Sequence, residues 1–314
     1  MKMKKISPFK IISIITITVV AFACILVSCN NENNGKQSQK KDTITVFVDE
    51  VIAPMIAEPL KMFRENKTES VLISKTVKAR EAMAGLFAHK VKVAIIARDY
   101  LKDEDSLMKA FHQTPYPHKV FAEDALVFFT KTDFLLDTLN TSIVKKLLTV
   151  EGYSLKEKLP QLKSEPELVI NDVNSSEYAN MLKFAADNKK VVKRFIIKST
   201  SDSVVDYVAS HPEAIGIGLM SQVVKDGRFK MLRMGYIDST GETVQASKPV
   251  HQSYIVMGEY PYIVKEYVFL LDDSRTPSYW FSEFIVKERI VVEYLKNYGI
   301  APIFAKYSLI KTDY

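Results

Sequence analysis

Strands and helices alternate along the first part of the chain. Residues 43–48 (TITVFV) alternate polar and apolar side chains, which is typical of a half-buried strand, and residues 54–65 then place apolar side chains at helical spacing. The same order continues with predicted strands at 71–73 and 91–96 and predicted helices at 77–89 and 103–113. Because strands that alternate with helices favour a mostly parallel sheet, this segment predicts an α/β unit.

A second alternating block follows a long apolar strand that is predicted at 119–130. Its predicted helices lie at 142–148, 175–187 and 202–210, and its predicted strands lie at 168–171, 194–197 and 214–218. A second long strand is predicted at 250–257, and helical spacing returns at 262–271 and 278–298. We therefore expect the chain to leave one lobe, form a second lobe and return to the first.

These signals predict an α/β protein with two α/β lobes joined by two crossing hinge strands. The expected division is lobe 1 at 43–118 plus 259–314, hinge strands at 119–131 and 246–258, and lobe 2 at 132–245. A cleft between such lobes is a natural ligand site, because ligands bind where the strands end and helix N-termini point. The strand-to-helix turns are therefore the places to look for binding residues.

The N-terminal segment has the pattern of an export signal. Four lysines at positions 2, 4, 5 and 10 precede an apolar run at 11–27, which is followed by Leu26-Val27-Ser28-Cys29. This tetrapeptide resembles the lipobox of bacterial lipoproteins, so we expect residues 1–28 to be a lipoprotein signal peptide and Cys29 to be lipidated. An uncleaved membrane anchor is the alternative. Residues 29–42 are polar and predict a flexible tether behind the lipid-bearing cysteine.

The composition and motifs of the sequence argue against several classes of function. The formal net charge is +6, but four of these charges are the lysines before residue 30, so about +2 is left for the remainder and nucleic-acid binding is not favoured. The chain has 10 glycines and no glycine-rich phosphate loop. Its five histidines are scattered without metal-ligand spacing, and no serine lies in a nucleophile elbow. We expect no enzyme activity, no metal and no cofactor.

Four turns between a predicted strand and a predicted helix contain the candidate ligand-binding residues, which are Glu50, Ser74, Arg98, Asp99, Ser175 and Ser176. Arg98 can bind an oxyanion through two hydrogen bonds while Asp99 accepts a proton from it, although a local surface ion pair is equally compatible with the pattern. Glu50 is also explained as a favourable charge near a helix N-terminus, and Ser74 as part of a solvated loop. Ser175 and Ser176 place two hydroxyl groups at a helix start.

Four parts of the sequence carry a family resemblance, which are residues 44–50 with Ala53-Pro54, residues 94–98 (AIIAR), residues 172–176 (DVNSS), and residues 204–208 with 211–216. In these parts the chain resembles the substrate-binding proteins of bacterial phosphate ABC transporters, in particular a lipoprotein branch of that family. The resemblance implies a type II periplasmic-binding-protein-like fold and a small oxyanion ligand, with phosphate as the first candidate. It also implies delivery of that ligand to an ABC permease.

One position departs from the family pattern. In the family, a Ser-Gly-Thr turn and a nearby arginine bind phosphate, whereas the matching residues here are Ser175, Ser176 and Glu177. A carboxylate next to a doubly charged anion is repulsive unless one of the two holds a proton. Either Glu177 points away in a capping box with Asn174 as the N-cap, or the ligand is not phosphate.

Two functions follow from these patterns. The first is a monomeric, lipid-anchored, extracytoplasmic solute-binding protein that closes its lobes over phosphate or a similar oxyanion for ABC uptake. The alternative is a non-transport envelope lipoprotein that uses the same scaffold to bind a protein or polymer. Its candidate contact patch consists of Tyr254, Tyr260, Tyr262, Tyr279 and Trp280.

Overall fold

The computed structural model describes residues 41–307, apart from residues 239, 246 and 247. The predicted signal peptide, the predicted lipidation of Cys29 and most of the predicted tether therefore lie outside the described residues. Within the described ranges, no helix is long and apolar enough to cross a bilayer.

The described strands largely follow the predicted alternation. They are β1 Asp42–Asp49, β2 Ser70–Val77, β3 Val93–Ile96, β4 His118–Lys131, β5 Thr138–Asn140, β6 Glu167–Asn171, β7 Ile196–Lys198, β8 Ala214–Leu219, β9 Phe229–Met231, β10 Arg233–Ile237, β11 Thr243–Val244, β12 Ile263–Leu270 and β13 Ala301–Pro302.

The described helices lie between these strands. They are α1 Ala53–Asn66, α2 Ala79–Phe87, α3 Lys102–Ala110, α4 Thr141–Thr149, α5 Leu155–Lys158, α6 Ser176–Asn180, α7 Ser201–Ser210, α8 Met220–Val223, α9 Gln252–Val256, α10 Pro277–Lys287 and α11 Arg289–Tyr298. A π-helical turn at Met181–Ala185 continues α6.

The large sheet of the described chain has the strand order β2-β1-β3-β12-β4-β8-β6-β7, and β13 and β9 pair with β4. Strands β1, β2 and β3 are parallel to one another, and so are β6, β7 and β8, whereas β12 and β4 run antiparallel to their neighbours. We call the β2-β1-β3-β12 part the first lobe and the β8-β6-β7 part the second lobe. The residue limits of the predicted domains stay a prediction.

Strand β4 belongs to both lobes and corresponds to the long strand that is predicted at 119–130. Its pairing with β12 ends at Ala125, and its pairing with β8 begins at Leu126. The second passage of the chain between the lobes lies against the same point, because the Leu126 N–H donates to the carbonyl of Tyr262 and the Tyr260 hydroxyl donates to the carbonyl of Leu126, both at 2.9 Å. The two passages are therefore hydrogen-bonded to each other.

The prediction of a second hinge strand at 250–257 is wrong. Residues 252–256 form the short helix α9, in which the His251 side chain accepts a hydrogen bond from the Ser253 N–H. The strand that returns to the first lobe is β12, where the sequence pattern predicts a helix at 262–271. Strand β12 is buried between β3 and β4, so apolar side chains point to both faces and the alternation that reveals a half-buried strand is weak.

The core forms because each helix buries one apolar side against the sheet. In α1, the buried residues Met55, Ile56, Leu60 and Phe63 recur at helical spacing. The Phe63 ring contacts the rings of Phe281 and Phe284 edge to face, with centroids 5.0 and 5.2 Å apart. Helix α1 begins a few residues after the end of β1, where the candidate site lies.

Candidate functional site

Polar side chains from both lobes lie at one contact region, which we call the interlobe seam. It consists of Asp49 and Glu50 at the end of β1, Asn171 at the end of β6, and Ser176 and Glu177 at the start of α6. Within each lobe the parallel strands end at one edge, and the hydrogen bonds between the turns after β1 and β6 show that the two edges face each other.

Three hydrogen bonds join the lobes at the seam. The Ser176 hydroxyl donates to Asp49 Oδ2, and Asn171 Nδ2 donates to Glu50 Oε1 at 2.6 Å. Near them, Asn180 Nδ2 donates to the carbonyl of Ala97 at 2.8 Å. The space between the strand ends is therefore occupied by side chains of the protein itself.

An ion pair and a backbone contact close the edge of the seam. Lys78, just before α2, pairs with Asp172, just after β6. The Arg80 N–H donates to the carbonyl of Asn174 at 3.1 Å. The structure thus shows the two lobes in direct contact.

Asp49 is completely buried at the seam. Its Oδ2 accepts hydrogen bonds from the Ser176 hydroxyl and, at 3.2 Å, from the Ala97 N–H, while its Oδ1 has no hydrogen-bond partner among the described residues. Burial raises the pKa of Asp49 to about 6, although these hydrogen bonds and the nearby charge of Arg98 act in the opposite direction. The Asp49 carboxyl group therefore gains or loses its proton about two pH units higher than an ordinary aspartate does.

Glu177 is the second buried carboxyl group of the seam. Its Oε1 accepts from the Ser201 hydroxyl at 2.5 Å and from Asn171 Nδ2 at 3.4 Å, and its Oε2 has no partner in the described part of the chain. Burial, and then the charge of Asp49, raises the pKa of Glu177 to about 7. Two carboxyl groups that repel each other thus share one poorly solvated site.

The seam residue Glu177 does not act as the predicted cap. The N-cap of α6 is Ser175, whose hydroxyl accepts from the Tyr178 N–H at 3.1 Å, so the predicted capping box at Asn174 is wrong. The Glu177 carboxyl group instead contacts Ser201 and Asn171 inside the second lobe. Of the two alternatives that the sequence left open, a capping Glu177 is the one that the structure contradicts.

Arg98 and Asp99 make their contacts within the first lobe. Arg98 is 3% exposed, and its Nη1 and Nη2 donate to the two carboxylate oxygens of Glu104 at 2.8 and 2.7 Å. Asp99 Oδ1 accepts from the Tyr100 N–H at 2.8 Å. The pair at Arg98 is thus a buried one with Glu104, and not the predicted surface pair with Asp99.

Ser74 lies in the middle of β2 and not in a turn. Its hydroxyl accepts a hydrogen bond from Arg64 Nη2 at 2.8 Å. The strand continues to Val77, beyond the turn that the sequence pattern predicts at 74–76. Of the six candidate residues, Glu50 and Ser176 lie at the seam and Ser175 caps α6 beside it, whereas Ser74, Arg98 and Asp99 contact other partners.

The candidate list omitted several residues that contact the seam carboxyl groups or join the lobes, among them Asp49, Asn171, Asn180, Ser201 and the ion pair of Lys78 with Asp172. Asp49 and Asn171 are the last residues of their strands, and Ser201 is the first residue of α7. A polar residue at the end of an apolar strand is the signal that would have found the first two.

A cavity of about 360 Å³ opens beside the seam. Val51, Pro54 and Tyr298 of the first lobe line it, together with Ser201, Asp202, Asp206, Asp226 and Arg228 of the second lobe. Arg228 pairs with Asp226 at 2.7 Å. In the described ranges, no group of three or more histidine, cysteine, aspartate or glutamate residues is arranged to hold a metal ion.

No protein-family model matches the chain, and a search of curated proteins also gave no match. Among solved structures, a phosphate ABC transporter substrate-binding protein of Clostridium perfringens with bound phosphate has a TM-score of 0.68 at 14% identity, and the alignment covers 83% of this chain and 100% of that one. An ABC-type phosphate transport receptor of Vibrio cholerae has a TM-score of 0.63 at 12% identity, with 82% and 99% covered.

The same architecture also occurs outside transport. The regulatory domain of CcmR from Synechocystis PCC6803 has a TM-score of 0.53 at 11% identity, and the alignment covers 79% of this chain and 99% of that one. At such identities the likeness concerns the fold. It confirms the predicted type II periplasmic-binding-protein-like architecture and the structural resemblance to phosphate substrate-binding proteins.

Proposed function

We propose that this protein is an extracytoplasmic, lipid-anchored solute-binding protein that closes two lobes over a small polar solute and delivers it to an ABC uptake system. The observation that carries this proposal is the seam, where polar residues from the strand ends of both lobes lie together next to a cavity. Closure over the solute, and not chemistry, is the mechanism. The predicted lipidation of Cys29 would hold the molecule at the membrane surface.

Hydrogen bonds between the lobes give the closed state a physical basis. Lys78 with Asp172 and Ser176 with Asp49 join the lobes only when these are in contact, so each contact favours closure. The long strand β4 is common to both lobes and leaves Leu126 as the point about which they would rotate.

Phosphate is the first solute to test, because the resemblance implies it and because two of the structural neighbours described above are phosphate-binding transport proteins. A phosphate ion at the seam would contact the carboxyl groups of Asp49 and Glu177. Its binding is then expected to need a proton on at least one of them and to weaken as the pH rises above about 7.

Calorimetric titration of the full-length protein in neutral detergent with phosphate, sulfate and molybdate tests oxyanion capture. A Lys78→Ala variant is the matched control for closure, since it loses the ion pair at the edge but leaves Asp49, Asn171 and Glu177 in place. Small-angle scattering should show a larger radius of gyration for this variant than for the wild type. If none of the three oxyanions changes the scattering of either protein, lobe closure on an oxyanion is excluded.

The second candidate function is a non-transport envelope lipoprotein. The observation that favours it is that the seam is already filled by side chains of the protein. Its predicted aromatic patch is not continuous, because Tyr260 and Tyr262 are buried at the hinge while Trp280 is 56% exposed. A scattering curve that stays closed in wild type and in Lys78→Ala would support this function over solute capture.

A further inference from the structure

The interlobe seam has hydrogen-bond acceptors without donors. The side-chain donors of Asn171, Ser176 and Ser201 all donate to acceptors within the protein. Asp49 Oδ1 and Glu177 Oε2 are fully buried and have no partner among the described residues. A solute that satisfies them must bring its own N–H or O–H groups.

The cations near the seam are already neutralised. Arg98 lies close enough to Asp49 to lower its pKa, but both of its terminal nitrogens are bound to Glu104. Lys78 is paired with Asp172. Asp49 and Glu177 therefore leave the seam with an excess of negative charge whenever they are ionised, and Glu50 lies beside them with Asn171 as its partner.

The adjoining cavity continues this acidic surface. Asp202 and Asp206 line it on the second lobe, while its one lining arginine, Arg228, is bound to Asp226. Ser201 belongs to the cavity wall and also donates to Glu177, so a single side chain separates the cavity from this buried carboxyl group. Its volume of about 360 Å³ is suited to a small organic molecule.

We propose that the solute is a small organic cation, whose ammonium or amidinium group binds between Asp49 and Glu177 and whose remainder lies in the adjoining cavity. This inference rests on the proposed function of solute capture and names the chemical class of the solute. An N–H-rich cation supplies both the donors and the positive charge that the seam lacks, whereas a protonated oxyanion such as hydrogen phosphate supplies O–H donors but adds negative charge. A bare metal ion is not favoured, since the described residues include no group that could hold one.

Calorimetric titration of the full-length protein in neutral detergent tests this proposal, with four probes, putrescine, agmatine, myo-inositol and inorganic phosphate. We expect putrescine or agmatine to bind and the other two probes not to bind. At pH 6.5, titration in buffers of different ionisation heat should show that the cation releases protons, because Asp49 and Glu177 are partly protonated there. Bound phosphate would instead take protons up.

Three variants locate the site. Glu177→Gln and Asp49→Asn should each weaken cation binding at least tenfold, whereas Glu151→Gln, which removes an equal charge from an exposed residue outside the seam, should leave it unchanged. Denaturant unfolding of each variant, followed by circular dichroism, checks that it folds. The proton release of the wild type tests the proposal even if a seam variant does not fold.

The outcomes separate this inference from the function on which it rests. Binding of phosphate or inositol without a cation overturns the cationic solute but keeps solute capture. A cation that binds equally well to wild type and both seam variants overturns the site. Failure of all four probes to bind overturns the cationic solute, and scattering of the Lys78→Ala variant then decides separately whether the lobes open at all.

Discussion

At the scale of single residues, Arg98, which the sequence pattern makes a candidate for binding an oxyanion, forms a buried ion pair with Glu104. Their side chains are 2% and 5% exposed and form a two-pronged ion pair. Glu104 Oε2 also accepts from the Leu101 N–H at 2.9 Å, so the same carboxylate caps α3. The turn after β3 is therefore fixed from inside the first lobe.

Glu104→Gln should destabilise the protein by about 3–5 kcal/mol, because it leaves the buried guanidinium group of Arg98 without a counter-charge. Urea unfolding at pH 7 measures this change. The control is Glu58→Gln, which removes an exposed pair with Lys61 and should cost less than about 1 kcal/mol. If Glu104→Gln lost as little unfolding free energy as Glu58→Gln, Arg98 would be solvated in solution.

At the scale of elements, the pairing of β4 with β8 depends on a glycine. Gly216 lies opposite Phe129, and a Cβ atom there would come within 2.6 and 2.8 Å of the Cε1 and Cε2 atoms of the Phe129 ring. Phe129 is completely buried, so its ring cannot move away freely.

Gly216→Ala should therefore destabilise the protein by about 1–3 kcal/mol through overpacking. Thermal unfolding compares it with Gly227→Ala, where a Cβ atom would have no neighbour within 4 Å. An unchanged Tm for Gly216→Ala would mean that β8 shifts away from β4 at little cost.

The elements also show how far the sequence pattern reaches. Half-buried strands such as β1 and amphipathic helices such as α1 are predictable, because one face is polar and the period is visible. Strand β12 is buried on both sides, and its side-chain pattern IVKEYVFL fits a helix as well as a strand. Its position between β3 and β4 is fixed only by contacts between distant segments.

The candidate site was predictable to a similar degree. A polar residue after an apolar strand marks the ends of β1 and β6, and the turns that follow contain Glu50 and Ser176, which lie at the seam. Their role in binding a ligand stays a prediction. The partners of Arg98 and Ser74 could not be predicted from the sequence, because Glu104 and Arg64 reach them from neighbouring helices. Local sequence gives the type of a side chain but not which group it contacts.

At the scale of the whole molecule, both the seam and the hinge contain buried carboxyl groups that interact electrostatically. Burial raises the pKa of Asp124, in β4, to about 6, and it raises the pKa of Glu266, in β12, well above its usual value, as does the charge of Asp124. With Asp49 and Glu177, these are groups that bind protons more tightly in the folded than in the unfolded chain.

The free energy of unfolding should therefore fall as the pH rises from about 4 to about 7, since in this range the folded state holds more protons than the unfolded state. Urea unfolding at pH 5 and pH 8 should differ by a few kcal/mol, on the order of 1.4 kcal/mol per pKa unit. This difference in unfolding free energy between pH 5 and pH 8 should be smaller in Glu177→Gln and unchanged in Glu151→Gln. Greater stability at pH 8 than at pH 5 would contradict this expectation.

The position of β12 has a consequence for biogenesis. It fills the place between β3 and β4, yet more than 160 residues separate it from β3 in the chain. Until β12 has been synthesised, the incomplete chain exposes an unpaired backbone edge at β3, which is a template for aggregation. We therefore expect C-terminal truncation before residue 263 to yield insoluble material.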